Sequence, residues 1–127
     1  MSRLCAHKYH KCAMNNKAIS DRIRKSKKYD AVRNSLICQL RANGADTAAF
    51  IDLVEDYMQF WVIKEMTKID IITRGVYITY NNGGGQSGTK ENPSIAYQLK
   101  ISSQMLKILQ QLKLDVESAG DSGDDEL

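Results

Sequence analysis

Proline occurs once in this 127-residue chain, at Pro93, and histidine twice, at His7 and His10. A chain so poor in proline can carry long helices without interruption. With both histidines near the start, the rest offers no Ser/His/Asp or Cys/His pairing for nucleophilic catalysis. No apolar run approaches the roughly 20 residues that cross a bilayer. The opening MSRLCAHKYHKC has positive charge but neither an apolar stretch nor a small-residue cleavage site, so it does not read as a secretory signal. Cys5, Cys12 and Cys38 are odd in number and lack a spaced framework, which in a reducing compartment means free thiols. Glycine is confined: six of the eight fall at Gly83, Gly84, Gly85, Gly88, Gly120 and Gly123, so the two main helical segments stay clear.

Two groups of metal-capable side chains are present. Cys5, His7, His10 and Cys12 crowd into eight residues without the separated pairs that let a loop wrap a tetrahedral ion. Asp52, Glu55 and Asp56 lie along the wet side of one helical run with no second carboxylate cluster. Neither reads as a metal site. No cofactor is expected, and the chain reads as non-enzymatic. Residues 1–16 are expected to be a disordered leader, within which Met14 offers an alternative start that mass spectrometry of the native protein would identify.

Charge is distributed unevenly. Residues 1–45 hold eleven Lys/Arg against two Asp/Glu, residues 46–92 four against seven, residues 93–114 three against none, and residues 115–127 none against six. The net of +3 therefore conceals a head of +9 and a tail of −6. A one-sided basic segment points to a polyanion partner, because solvated faces usually mix both signs. Lys17, Arg22, Arg24, Lys25, Lys27, Lys28 and Arg33 are the candidate DNA contacts. The tail, with six acids, two glycines and few apolar residues, is expected to stay disordered.

The elements follow from periodicity. Residues 17–45 predict two short basic helices or one kinked helix, with Ile19 and Ile23 on one face, Val32, Leu36, Ile37 and Leu40 on another, and Gly44 ending the run. Asp46 is a plausible cap for the next helix, which continues through 25 residues free of glycine and proline. There Phe50, Leu53, Val54, Tyr57 and Trp61 form one stripe, and Ile51, Met58, Val62, Met66 and Ile69 a second. Two stripes need two partners. One is a later helix of the same chain, packed antiparallel; the other is expected to be a neighbouring subunit, through Phe50, Val54, Tyr57, Met58, Trp61 and Val62. Residues 73–91 alternate β-branched and aromatic side chains up to Asn-Asn-Gly-Gly-Gly, predicting a short β-ribbon. Its tip lacks the G-x-x-x-x-G-K-[ST] spacing of a phosphate loop. Asn92 then supplies a cap and Pro93 a first residue with no N–H to leave unpaired, so a helix begins there. Leu99, Ile101, Met105, Leu106, Ile108, Leu109 and Leu112 recur at three- and four-residue steps along it, predicting one broad buried face.

The run K-x-N-P-S-I followed by Q-M-L-K-I-L-x-x-L-x-L resembles the last helix of phage terminase small subunits of the P27 family. The resemblance extends from about Leu36 to Leu114 and rests also on the aromatic-rich helix and the "rGvyity-N-x-G" ribbon. It departs at the end, where the sequence reads LKLDVESAGDSGDDEL in place of a Gly-Leu-Thr-Pro-Ser-Ser-Arg-like tail. The resemblance implies a ring-forming homo-oligomer that recognises double-stranded viral DNA at the packaging start. It further implies regulation of the terminase large subunit, which holds the ATPase and nuclease, in the host bacterial cytoplasm.

The expected architecture is therefore mainly α: an antiparallel helical hairpin (residues 46–72 and 92–114) with a short β-ribbon at its tip (73–91), preceded by one or two short basic helices (17–45) and followed by an acidic tail (115–127). A small helix-turn-helix transcription regulator is the alternative, and an adaptor docking an acidic protein a further one.

Overall fold

A computed structural model describes residues 16–114. The expected disordered leader, its Cys/His cluster and the acidic tail lie outside these residues, except that Asn16 already belongs to the first helix. The order is α1 (Asn16–Arg24), α2 (Lys27–Ala42), α3 (Ala48–Arg74), β1 (Tyr77–Gly83), β2 (Gln86–Glu91) and α4 (Pro93–Gln111). The fold is mainly helical with one antiparallel two-stranded ribbon, as the sequence predicts.

The basic segment is two helices. Lys25 and Ser26 break the run, and the Ser26 hydroxyl accepts a bond from the Tyr29 N–H at 3.1 Å to start α2. At the other end Asn43 caps the helix and Gly44 takes φ +68°. The Ala45 N–H then donates to the Leu40 carbonyl and the Gly44 N–H to the Arg41 carbonyl. These two bonds make the Schellman ending, in which glycine occupies the left-handed position at no steric cost. The same ending closes α4, with Leu114 donating to Leu109 and Lys113 to Gln110. There the left-handed position, φ +60°, is filled by Lys113, and Leu114 is buried beside Leu109. The cap of α3 is Thr47, whose hydroxyl accepts from the Phe50 N–H at 3.4 Å. Asp46, the expected cap, instead stands 4.0 Å from Arg41.

One long helix organises the rest. α4 packs along α3 on one side, while α1 and α2 run along it on another. Leu36, Ile37 and Leu40 from α2, Val54, Met58, Trp61 and Val62 from α3, and Ile101, Met105 and Leu109 from α4 form one core, closed by Leu112 and Leu114. Tyr29 meets the Trp61 ring edge-on at a centroid distance of 5.9 Å.

This packing corrects two expectations. The side of α3 expected to face a neighbouring subunit carries α2 of the same chain, and Val54, Met58, Trp61 and Val62 are buried within the chain. Phe50 and Tyr57 are half-buried against the same core. Conversely the apolar face of α4 is narrower than its sequence suggests. Ile101, Met105 and Leu109 recur every four residues and are buried, whereas Leu99 and Leu106 point to solvent at 69% and 54% exposure. A four-residue spacing drifts little around a helix, so one side row is enough to fill the groove along α3.

Candidate nucleic-acid interface

The cations singled out in the sequence fall into two sets. Arg33 turns inward: its Nε and Nη2 both donate to Oε2 of Glu55, at 3.0 and 2.6 Å, joining α2 to α3. That hydrogen bond raises the Arg33 pKa further above its usual value, and Glu55 is thereby engaged rather than merely solvated. Lys17 pairs with Asp21 one turn on, at 3.0 Å. Both cations have a carboxylate partner where they stand. The remaining five, Arg22, Arg24, Lys25, Lys27 and Lys28, are exposed and form no ion pair among the described residues.

Local structure gathers those five. They span the end of α1, the two-residue turn and the first two residues of α2, so the turn brings them within one short reach of chain. Lys27 and Lys28 sit in the first turn of α2, where free backbone N–H groups and the helix dipole already favour an anion. No large hydrophobic side chain is exposed on α1 or α2; those that are exposed lie on the last turns of α3, around the ribbon and on α4. The surface is built for charge, not for apolar burial.

At the far end of α3 a polar network fixes the ribbon. The Asp70 carboxylate accepts from Arg74 Nε at 2.7 Å, from Arg74 Nη2 at 2.8 Å and from the Ser94 hydroxyl at 2.6 Å. Asn92, fully buried, accepts at Oδ1 from the Ser94 N–H and from Arg74 Nη2, and donates from Nδ2 to the Gly75 carbonyl. Its own N–H donates to the Val76 carbonyl at 2.7 Å. No buried side-chain polar atom is left without a partner among the described residues. The Arg74 guanidinium, with help from Ser94 and Asn92, holds the Asp70 carboxyl at a pKa of about 2, against the desolvating effect of burial. The sequence marked Asn92 as a helix cap; its second role, as the pin between α3, the ribbon and α4, has no one-dimensional signal. Arg74 is committed to this network through Asp70 and Asn92.

The ribbon itself pairs Tyr77 with Glu91, Ile78 with Lys90, Thr79 with Thr89, Tyr80 with Gly88 and Asn81 with Ser87. Tyr80 lies across the strand over Gly88, where an added Cβ would stand 3.0 Å from its hydroxyl. Lys90 sits 5.8 Å from the Tyr80 ring centre.

Among the described residues no group of three or more His, Cys, Asp or Glu is close enough to hold a metal ion. No described helix is long and apolar enough to cross a membrane. A shallow space of about 220 Å³ lies between Asn16 and Ile19 of α1 and Met66, Ile69, Asp70, Thr73 and Arg74 of α3.

Neither a curated protein nor a solved structure matches the chain. A family model does, that of the phage terminase small subunit, over residues 30–123. The matched stretch begins inside α2 and takes in α3, the ribbon and α4, leaving out α1 and the five free cations. Since it covers well over half of the sequence, the chain belongs to the phage terminase small subunit family.

Proposed function

We propose that the protein is the non-enzymatic, ring-forming subunit that recognises viral DNA at the packaging start and regulates the terminase large subunit. The observation that carries the DNA part is the segregation of Arg22, Arg24, Lys25, Lys27 and Lys28 on the α1–α2 turn, exposed and without an ion pair among the described residues. Phosphate contact by such a cluster releases condensed counterions and holds a duplex without reading it. Family membership supplies the packaging context and the large subunit as partner.

For assembly, the six residues first expected at the interface are an unsuitable set, because four of them are buried in the chain's own core. The reading favoured instead is the outer face of α4, where Leu99 and Leu106 lie two turns apart on one line and are open to solvent. Two helices joined by a two-residue turn also fit a dimeric helix-turn-helix regulator, which is the second reading.

Light scattering combined with fluorescence anisotropy on duplex DNA tests the proposal. It expects an assembly larger than a dimer whose DNA affinity falls steeply with salt. A dimer with the same DNA behaviour would favour the regulator, and a folded monomer with no salt-dependent affinity would overturn both.

A further inference from the structure

The β-ribbon is a projection with little to hold at its end. Its strands pack chiefly on each other, and every residue from Asn81 to Ser87 is exposed. Gly84 and Gly85 make the turn, both in the left-handed region with φ of 57° and 81°, as a two-residue hairpin of the primed type requires. None of Gly83, Gly84 and Gly85 has an atom within 4 Å of where a Cβ would be, so no packing within the chain calls for their smallness. The blunt tip is flanked by two carboxamides. Asn81 is spent on the turn, accepting from the Gly83 N–H at 2.8 Å. Asn82 sits in the bulge between the Asn81 and Gly83 pairings, and bulges commonly re-aim a side chain. Asn82 and Gln86 make no side-chain hydrogen bond among the described residues, so both keep a donor and an acceptor for a partner.

We infer that the ribbon tip is a base-reading element that enters a groove of duplex DNA, with Asn82 and Gln86 directed at base edges. The inference rests on the DNA reading above and adds to it a second, chemically different contact. A two-stranded ribbon fits the major groove, about 12 Å wide and about 8.5 Å deep, and Asn or Gln matches the donor–acceptor pair of adenine there. β1 alone reaches roughly 23 Å at the usual strand rise, enough to bring the tip to the groove floor. From Val76 to Glu91 the only charged residues are Lys90 and Glu91 at the base, so the tip cannot bind by phosphate attraction. It also carries no apolar side chain from Asn81 to Ser87, which disfavours the buried centre of a protein–protein contact. Reading requires a fixed direction, and the Asn92 bonds to Gly75 and Val76 fix the ribbon's base. Asn16 and Ile19 pack beside Arg74 at that base, so the cationic turn begins only about one helical turn further along α1.

Selection from a pool of duplexes with a randomised centre tests this in three proteins: the parent, the Asn82→Ala/Gln86→Ala double variant, and the Arg24→Ala/Lys25→Ala/Lys27→Ala/Lys28→Ala variant. Thermal melts identical to the parent's control for folding. The parent is expected to enrich a sequence motif, and the double variant to lose preference at one or two positions, on the order of 10- to 100-fold each, with its salt slope unchanged. The cation variant should show the reverse, a lower slope and the same motif. A double variant that enriches the parent's motif overturns the inference, as does one whose oligomeric mass changes, which would make the tip a contact with a second copy. A parent that binds DNA without any motif also overturns it while leaving the phosphate-holding reading intact; a parent that does not bind DNA at all overturns that reading too.

Discussion

The layers on either side of α3 do the same work inward and different work outward. α2 and α4 each bury a row of aliphatic side chains against the same stretch of α3. Outward, α1 and α2 offer five unpaired cations and no large exposed hydrophobic, whereas α4 offers Leu99 and Leu106. The difference separates charge from apolar surface on one small body. It allows a duplex on one layer and a neighbouring subunit on the other without either competing for the same residues.

The largest effects should come where the layers are alike. Leu40→Ala in α2 and Met105→Ala in α4 each remove a buried side chain from the shared core and should cost about 2–5 kcal/mol, read by denaturant melts. Both should shift a single cooperative transition. Two separate transitions would mean that the layers fold independently and that the shared core is misdescribed.

The polar end of α3 should be less costly to disturb. Asn92→Ala removes a cap and orphans the Arg74, Ser94 and Gly75 groups it satisfies, a loss of about 1–3 kcal/mol. Its neighbour Asp70 makes this end acid-sensitive. Because its folded pKa lies at about 2, below the ordinary 3.8, its contribution is present above about pH 4 and fades as pH falls toward 2. An Asp70→Asn variant should lose that part of the pH dependence in acid unfolding curves, amounting to at most about 2 kcal/mol.

The smallest effects should come from the outward surfaces and the helix end. Leu99→Ser with Leu106→Ser should leave the melting temperature nearly unchanged while reducing the mass of the assembly. An unchanged mass would take the α4 face out of the assembly reading. Lys113→Gly relieves a left-handed residue at the Schellman end of α4 and should stabilise by about 0.5–1 kcal/mol in the same melts.

Much of this architecture was legible because local chemistry and global packing agree. The Asn92-Pro93 start of α4, the Gly44 end of α2 and the ribbon with its glycine turn all follow from residue types with few alternative uses. What the sequence hid was which neighbour covers which stripe. Periodicity marks Val54, Met58, Trp61 and Val62 as buried, but it does not say by what, and α2 supplied the partner that a second chain had been expected to give. Leu99 and Leu106 failed for the opposite reason, since composition marks them as apolar whether or not a groove exists to receive them. Among the cations, the free and the spent differ by a tertiary contact: Arg33 meets Glu55 from 22 residues away, and nothing near Arg33 in the sequence announces it.

The central claim is that the free cations of the α1–α2 turn hold the DNA, and it is tested most directly by the salt dependence of duplex binding in the Arg24→Ala/Lys25→Ala/Lys27→Ala/Lys28→Ala variant. Fluorescence anisotropy should give a lower affinity and a slope of log affinity against log salt reduced by about 0.9 for each phosphate contact removed, with the assembly's mass unchanged. A variant that binds duplex DNA as tightly as the parent at every salt concentration would contradict the account.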